Sequence, residues 1–344
     1  MTKSIVMKHI NIAVIYGSDS SEWQVSCRSG EYVATRIDDS KYSIYEIFAR
    51  YGQWNLVSFR KKGAMRIQFP DEARPEINKN DFSVNVYGET IKFDFAYIMQ
   101  HGTPGENGLL QGYLEMLGIP FSSCSSFVSA VTFDKFACKS YLRDVNFVHL
   151  AKDALIRKGG DVKAFTKFVT ENLGYPVFIK PTAGGSSFGV TKVKKAEDIE
   201  EALGCALVEG DTVMAEKAIV GREVTCAAYR GKGGSLNVLP VIEIITDNEY
   251  FDYDAKYNGH SEEVCPAEIN EALTKQIQEV TKKIYAHLGC SGVVRVDYIV
   301  SEEGLYFLEV NTIPGMTNAS LVPKMIRTAG IDITEFLSEI IENA

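Results

Sequence analysis

The hydrophobic and polar positions of this chain change period several times, and each change marks a predicted element. Residues 10–16, Ile-Asn-Ile-Ala-Val-Ile-Tyr, are almost continuously apolar and rich in β-branched side chains, the pattern of a buried strand. They run into Gly17-Ser18-Asp19-Ser20-Ser21, whose hydroxyls and carboxylate suit the cap of a helix from Glu22 onward. A strand, loop and helix in this order open an α/β domain, and ligands bind such domains at the carboxyl ends of the strands. Residues 53–98 alternate short apolar runs with turn formers and end in a strand, 91–99, that leads straight into His101-Gly-Thr-Pro-Gly-Glu-Asn-Gly108. A helix is expected to start near Gly108, with its first N–H groups turned toward an anion.

From Ser125 the pattern becomes helical, so a boundary is placed near residue 124. A second helix is predicted over 161–173 and a strand over 175–181, followed by the glycine- and serine-rich run Gly184-Gly185-Ser186-Ser187. Residues 211–225 read as strand, short connector and strand, while residues 250–261 form a polar aromatic stretch without periodicity, the mark of a lid. Near the end, β-branched and aromatic runs at 293–300 and 305–310 flank Ser-Glu-Glu-Gly and predict a hairpin.

Composition narrows the class. The 344 residues are 45% hydrophobic, enough for a substantial core and for two or three domains. No apolar run is long enough to cross a bilayer, and the opening segment lacks the apolar stretch of a secretion signal, so no membrane contact is expected. Seven cysteines form no C-x-x-C pair, which suits a reducing, cytoplasmic setting. A net charge of −9 argues against a nucleic-acid partner, because such binding draws its affinity from neutralised phosphates.

Candidate chemistry gathers at strand ends. Asp297 lies in one strand of the C-terminal hairpin, and Glu309 and Asn311 close the other; three converging oxygen ligands suit Mg²⁺. Two surface acids on a solvated hairpin are the alternative, but Asn311-Thr-Ile-Pro314-Gly315-Met-Thr317 follows them, a run of turn formers that a plain hairpin does not need. The loop at 184–187 has the makings of an anion-binding concavity of backbone N–H groups, with Lys180 at the preceding strand end as a point charge. It is not a Walker loop, since no G-x-x-x-x-G-K-[ST] occurs.

Arg295-x-Asp297 followed by Glu309-x-Asn311-Thr-x-Pro-Gly315-Met-Thr-x-x-Ser320 resembles the C-terminal part of D-alanine–D-alanine ligases, members of the ATP-grasp superfamily. The likeness extends from about residue 10 to 325, with the motifs in the expected order; Tyr16-Gly17 stands where the family has paired glycines. It implies an α/β fold in three parts: an N-terminal open sheet over 1–124, a small central α+β lid over 125–218 and a C-terminal α+β domain over 219–344. It also implies ATP-dependent joining of two D-alanines through an acyl phosphate for peptidoglycan precursors, with two Mg²⁺ ions, or Mn²⁺ in their place, on Asp297, Glu309 and Asn311.

The residue roles follow from the same resemblance. Glu22 grips the first D-alanine's ammonium and His101 lies beside its carboxylate. Lys135, Lys180, Ser187 and Lys256 contact the nucleotide's phosphates, Glu216, Lys217 and Ile219 frame the adenine, and Glu223 holds the ribose. Arg295 and the Gly315 N–H stabilise the oxyanion, and Ser320 with the Leu321 N–H receives the second carboxylate. Tyr257 bonds to Ser186 and through it to Glu22, closing the lid, with His260 nearby. Members commonly form homodimers. An ester-forming D-alanine–D-lactate relative, a ligase of other D-amino acids and a non-catalytic nucleotide-binding module are the competing readings; Lys256, Tyr257, Ser186 and Glu22 together favour the dipeptide, and the presence of Arg295 and all three metal ligands argues against the module.

Overall fold

The computed structural model describes residues 10–185, 188–246 and 261–344. Ser186, Ser187, Lys256, Tyr257 and His260 lie outside the described residues. The predicted opening is present as β1 (Ile10–Gly17) and α1 (Trp23–Ala34), followed by β2 (Tyr42–Arg50), β3 (Gln53–Arg60), β4 (Ile67–Gln68), β5 (Ile77–Asn78), β6 (Ser83–Val86), β7 (Glu89–Lys92) and β8 (Phe95–Ile98). β1 is parallel to both β2 and β8 at the centre of a five-stranded sheet in the order β4-β3-β2-β1-β8, and β5 to β7 form a small antiparallel sheet of their own. Ile12 to Ile15 are fully buried, as a central parallel strand requires.

Next come α2 (Leu109–Leu117), α3 (Ser126–Phe133) and α4 (Lys135–Tyr141), then β9 (His149–Leu150) and β10 (Asp153–Arg157). Ser125 caps α3 through the Val128 N–H and Asp134 caps α4 through the Ala137 N–H. The four strands of the lid, β10, β11 (Val177–Pro181), β12 (Thr191–Val193) and β13 (Thr212–Lys217), pair antiparallel in the order β10-β13-β11-β12. α5 (Val162–Phe168), continued by a π-helical turn to Leu173, and α6 (Ile199–Glu209) pack with this sheet around their own core, which includes Phe165, Ile179, Leu203 and Val213.

The rest of the chain builds a larger sheet from β14 (Arg222–Arg230), β15 (Leu236–Val238), β16 (Ile242–Thr246), β17 (Ser261–Val264), β18 (Val293–Ser301) and β19 (Gly304–Asn311), with α7 (Glu271–Leu288), α8 (Leu321–Thr328) and α9 (Ile333–Glu342). β9 joins its edge, parallel to β19. Residues 125–150 therefore side with this sheet and not with the lid: Val128, Cys138, Leu142 and Val148 are buried in one cluster with Val294, Tyr298 and Phe307. Hydropathy locates a helix but not the sheet whose apolar face receives it, so the packing of residues 125–150 is not visible in sequence. Gly292, with a φ of +65°, sits where an added Cβ would collide with the Ser122 carbonyl, so the N-terminal part meets the large sheet backbone to backbone at the root of β18.

Candidate active site

The C-terminal hairpin assembles one wall of a cleft of about 590 Å³. β18 and β19 pair so that Arg295 faces Asn311 and Asp297 faces Glu309. Residues two apart share a face of a strand, so all four side chains point to one side. A bulge after the Asp297–Glu309 pair puts Leu308 out of register and ends this arrangement locally.

Asp297 is 7% exposed and its carboxylate is saturated. Oδ1 accepts from Arg295 Nε at 2.9 Å and from Thr225 Oγ1 at 2.6 Å, while Oδ2 accepts from Arg295 Nη2 at 2.9 Å and Asn311 Nδ2 at 3.0 Å. Thr225 lies directly across from Asp297 on β14. Burial works to lower the Arg295 pKa, but Asp297 and its hydrogen bonds outweigh it and hold the guanidinium above its ordinary value. The fork on Asp297 uses Nε and Nη2, which leaves Nη1 as the remaining guanidinium nitrogen of a side chain that lines the cleft.

Lys135, at the start of α4, closes the arrangement from the opposite side. Its ammonium lies 3.2 Å from Glu309 Oε2 and donates to the Gly184 carbonyl at 2.8 Å, tying the glycine-serine loop to the hairpin. The loop also reaches α1: a Cβ on Gly185 would stand 2.5 Å from Glu22 Oε2. Glu22 is itself the residue before the first turn of α1, and its side chain makes no cap bond; instead Ser20 Oγ accepts from the Glu22 N–H at 3.2 Å. The expected side-chain cap is absent: Ser20 holds the residue before the helix instead, while the Glu22 carboxylate lines the cleft.

Nδ1–H of His101 donates to the Ile313 carbonyl at 3.0 Å, Nε2 shares a hydrogen bond with Ser29 Oγ at 3.0 Å, and Ser29 accepts from the Met316 N–H at 3.2 Å. Burial lowers the His101 pKa, against the opposing influence of Glu22. Both ring nitrogens are therefore engaged by the protein, and His101 ties the turn after β19 to α1. At the start of α2 two of the first amides are engaged locally: the Leu109 N–H donates to Asn107 Oδ1 at 3.4 Å and the Leu110 N–H to the Pro104 carbonyl at 3.1 Å.

At the far end of the cleft Ser320 precedes α8, with its hydroxyl 2.8 Å from Thr317 Oγ1 and accepting from the Thr317 N–H at 2.9 Å. Gly315 lies against it. Glu22, His101, Lys135, Arg295, Glu309, Asn311, Gly315, Ser320 and Leu321 all line this one cleft. Lys180, Glu216, Lys217, Ile219 and Glu223 do not; the first three belong to the lid, Ile219 to the connector behind it and Glu223 to β14 of the larger sheet. There Lys180 pairs with Glu216 at 2.5 Å. The Lys217 and Ala218 N–H groups are spent on the Lys152 and Pro176 carbonyls, so Ile219 carries the next amide of the connector.

Glu106 and Glu263 are the acids of the cleft lining to which the sequence assigned no role, and the pKa of Glu106 is shifted. Its Oε2 accepts from the Gly102 N–H at 2.6 Å, but burial, reinforced by the charges of Glu22 and Glu309, pushes its pKa up to about 8. The unfolded chain loses this proton near its ordinary value of 4.5. Between the two values the folded state holds a proton that the unfolded state has released, so stability falls as pH rises through this window. Glu106→Gln removes the dependence: melts of nucleotide-free, metal-free protein from pH 5 to 8.5 should show wild type losing ground steadily to the variant. A constant offset between the two would mean that Glu106 is ionised throughout.

A small antiparallel lid facing a larger sheet, with hard oxygen ligands and fixed cations converging between them, defines an ATP-grasp enzyme, an ATP-dependent ligase. Comparison with known proteins sharpens this. Family models described as "D-ala D-ala ligase N-terminus" and "D-ala D-ala ligase C-terminus" match residues 11–124 and 140–342. A D-alanine–D-alanine ligase of Bacteroides fragilis is 46% identical over 97% of this chain and 98% of its own length, and one from Porphyromonas gingivalis is 40% identical over 98% of each. The crystal structure of VanG D-Ala:D-Ser ligase from Enterococcus faecalis superposes with a TM-score of 0.85 at 32% identity, covering 98% of this chain and 99% of that one. D-alanyl-alanine synthetase A from Vibrio cholerae gives 0.84 at 26%, with 98% of each chain covered. The chain belongs to the D-alanine–D-alanine ligase family. No helix among the described residues is long and apolar enough to cross a membrane.

Proposed function

We propose that this cleft joins two D-alanines at the expense of ATP, the reaction of the family, with roles for individual residues that the geometry above supports. The carrying observation is the cross-strand set of Arg295, Asp297, Glu309 and Asn311, faced by Lys135: Arg295, Glu309 and Asn311 line the same cleft as Glu22, and Asp297 accepts from Arg295 and Asn311. Ligation begins when a carboxylate oxygen of the first D-alanine attacks the γ-phosphorus of ATP and ADP departs. The amine of the second then attacks the acyl carbon, inorganic phosphate leaves, and the amine gives up a proton. Glu22, at the start of α1, offers a counter-charge to the first ammonium. Arg295 Nη1 and the Gly315 N–H receive the developing oxyanion. Ser320 and the amide of Leu321, at the N-terminus of α8, take the second carboxylate.

The residue types suit a divalent cation: two carboxylates and an amide whose nitrogen is turned to Asp297, leaving Oδ1 as its acceptor atom; Asp297, whose oxygens are taken up by Arg295, Thr225 and Asn311, would exchange one of those bonds for the ion. Asp297, Glu309 and Asn311 would hold two Mg²⁺, or Mn²⁺ in their place, and the ions supply neutralisation of the phosphate charge during transfer. Lys135 and Lys180 bind phosphate oxygens with Ser187 and Lys256, Ile219 and its neighbours Glu216 and Lys217 frame the adenine, and Glu223 holds the ribose. The enzyme works in the cytoplasm as a homodimer supplying peptidoglycan precursors.

The acceptor is the finer question, because the VanG relative is titled a D-Ala:D-Ser ligase. Tyr257 and Ser186, with Glu22, favour D-alanine. The test is product analysis after incubation with ATP, Mg²⁺ and D-alanine, alone and in competition with D-serine and D-lactate, across pH 6–9. D-alanyl-D-alanine should dominate at neutral pH. A predominance of ester or of the mixed D-Ala-D-Ser dipeptide would overturn the acceptor assignment, and ADP formation without any ligated product would overturn the reaction.

A further inference from the structure

Behind the phosphate-facing side of the lid lies a buried group of four charges, two of which, Lys139 and Asp153, the reaction as described does not use. Glu216 on β13 is 4% exposed and shares its carboxylate between two ammonium groups. Oε2 accepts from Lys180 Nζ at 2.5 Å and Oε1 from Lys139 Nζ at 2.5 Å. Lys139 is itself 1% exposed; it also pairs with Asp153 at 2.8 Å and donates to the Ala151 carbonyl at 2.7 Å. Asp153 stands directly across from Glu216 on β10, and Arg143 reaches it from the surface at 3.5 Å. Lys139 comes from outside the lid, one turn after Lys135 on α4.

We propose that Lys139 is a positioning residue for nucleotide binding, which holds Glu216 from behind so that Lys180 is free to leave that carboxylate for the phosphates of ATP. The proposal rests on the reading of Lys180 as a phosphate contact. A buried carboxylate with a single cationic partner binds it strongly, because separating the two strands an anion away from water. With two ammonium groups on its two oxygens, Glu216 remains paired when Lys180 turns to the polyanion. The count of charges supports this division: Lys139, Lys180, Asp153 and Glu216 sum to zero, and after Lys180 is given to the nucleotide the remaining three still include one ammonium bonded to both carboxylates. Burial works to raise the Glu216 pKa, but Lys180 and Lys139 together bring it below its ordinary value, so the carboxylate is an anion that always needs a partner.

Lys139→Met keeps the length of the side chain and removes its charge. It should weaken ATP binding by about tenfold, measured by calorimetry and as KM for ATP, while KM for D-alanine stays within about twofold, a split that general destabilisation does not produce. Adding Glu216→Gln to Lys139→Met should restore ATP affinity to within about threefold of the Glu216→Gln single variant, because no anion is left to retain Lys180. Should Lys139→Met fold poorly, the Lys139→Met/Asp153→Asn pair removes one buried charge of each sign and carries the same expectation. Wild-type ATP affinity in a folded Lys139→Met or in that pair, or strictly additive losses in the double variant with Glu216→Gln, would overturn the proposal. Lys180→Ala separates the two readings. If it leaves ATP affinity unchanged, the phosphate role of Lys180 falls; if it weakens ATP binding while Lys139→Met does not, only the role of Lys139 falls.

Discussion

Replacing Arg295 by methionine should lower turnover at saturating substrates by about 10²–10³, the usual cost of removing one donor from a developing oxyanion. Lysine should not rescue it. The reason is in the fork: Nε and Nη2 are both committed to Asp297 at 2.9 Å, so only a planar group with a third nitrogen can brace that carboxylate and still face the cleft. A lysine ammonium at this place can do one or the other. Because Asp297 also accepts from Thr225 and Asn311, it keeps partners after the substitution, and the fold should survive. Single-turnover measurements should place the loss after ATP binding, in the chemical steps. An Arg295→Lys enzyme within threefold of wild-type turnover would show that Arg295 serves Asp297 alone and touches no reacting atom.

Much of this site was legible because its residues sit at the ends of strands with strong patterns. The hairpin expected at 293–300 and 305–310 is β18 and β19, and the period of two that predicts the strands also puts Arg295, Asp297, Glu309 and Asn311 on one face. Thr225 was not legible as a partner of Asp297, since it lies seventy-two positions away and only the pairing of β14 with β18 brings it opposite. Nothing along the chain marks Lys139 out among the helical lysines; its meaning depends on β10 and β13 closing over it. Glu106 stood in a motif that was read, but its raised pKa comes from burial and from Glu22, neither visible along the chain. At the start of α2 a glycine before the helix signals open amides, and Asn107 and Pro104 fill two of them locally, which the chain order does not show.

Glu309 and Asn311 should respond to charge changes in opposite directions, which separates a metal site from an ion-pair network. Glu309→Gln removes one ligand charge next to Lys135, whose ammonium stands 3.2 Å away and whose pKa is kept above its ordinary value by Glu309 despite burial. Turnover should fall by about 10²-fold or more, in the range lost with a group that stabilises transition-state charge, and half-saturation should move to higher Mg²⁺. Asn311→Asp adds a carboxylate and withdraws the Nδ2–H that Asp297 now accepts at 3.0 Å. Without metal the two acids repel, so this variant should melt below wild type in chelator and recover as Mg²⁺ is added, because binding to the folded state alone stabilises it. Its half-saturation should fall to lower Mg²⁺, with a smaller loss of turnover than Glu309→Gln. Titrating turnover and melting temperature against Mg²⁺ for the three proteins reads both effects. Superimposable Mg²⁺ curves for wild type and Glu309→Gln would remove Glu309 from the metal site and leave it as the counter-ion of Lys135.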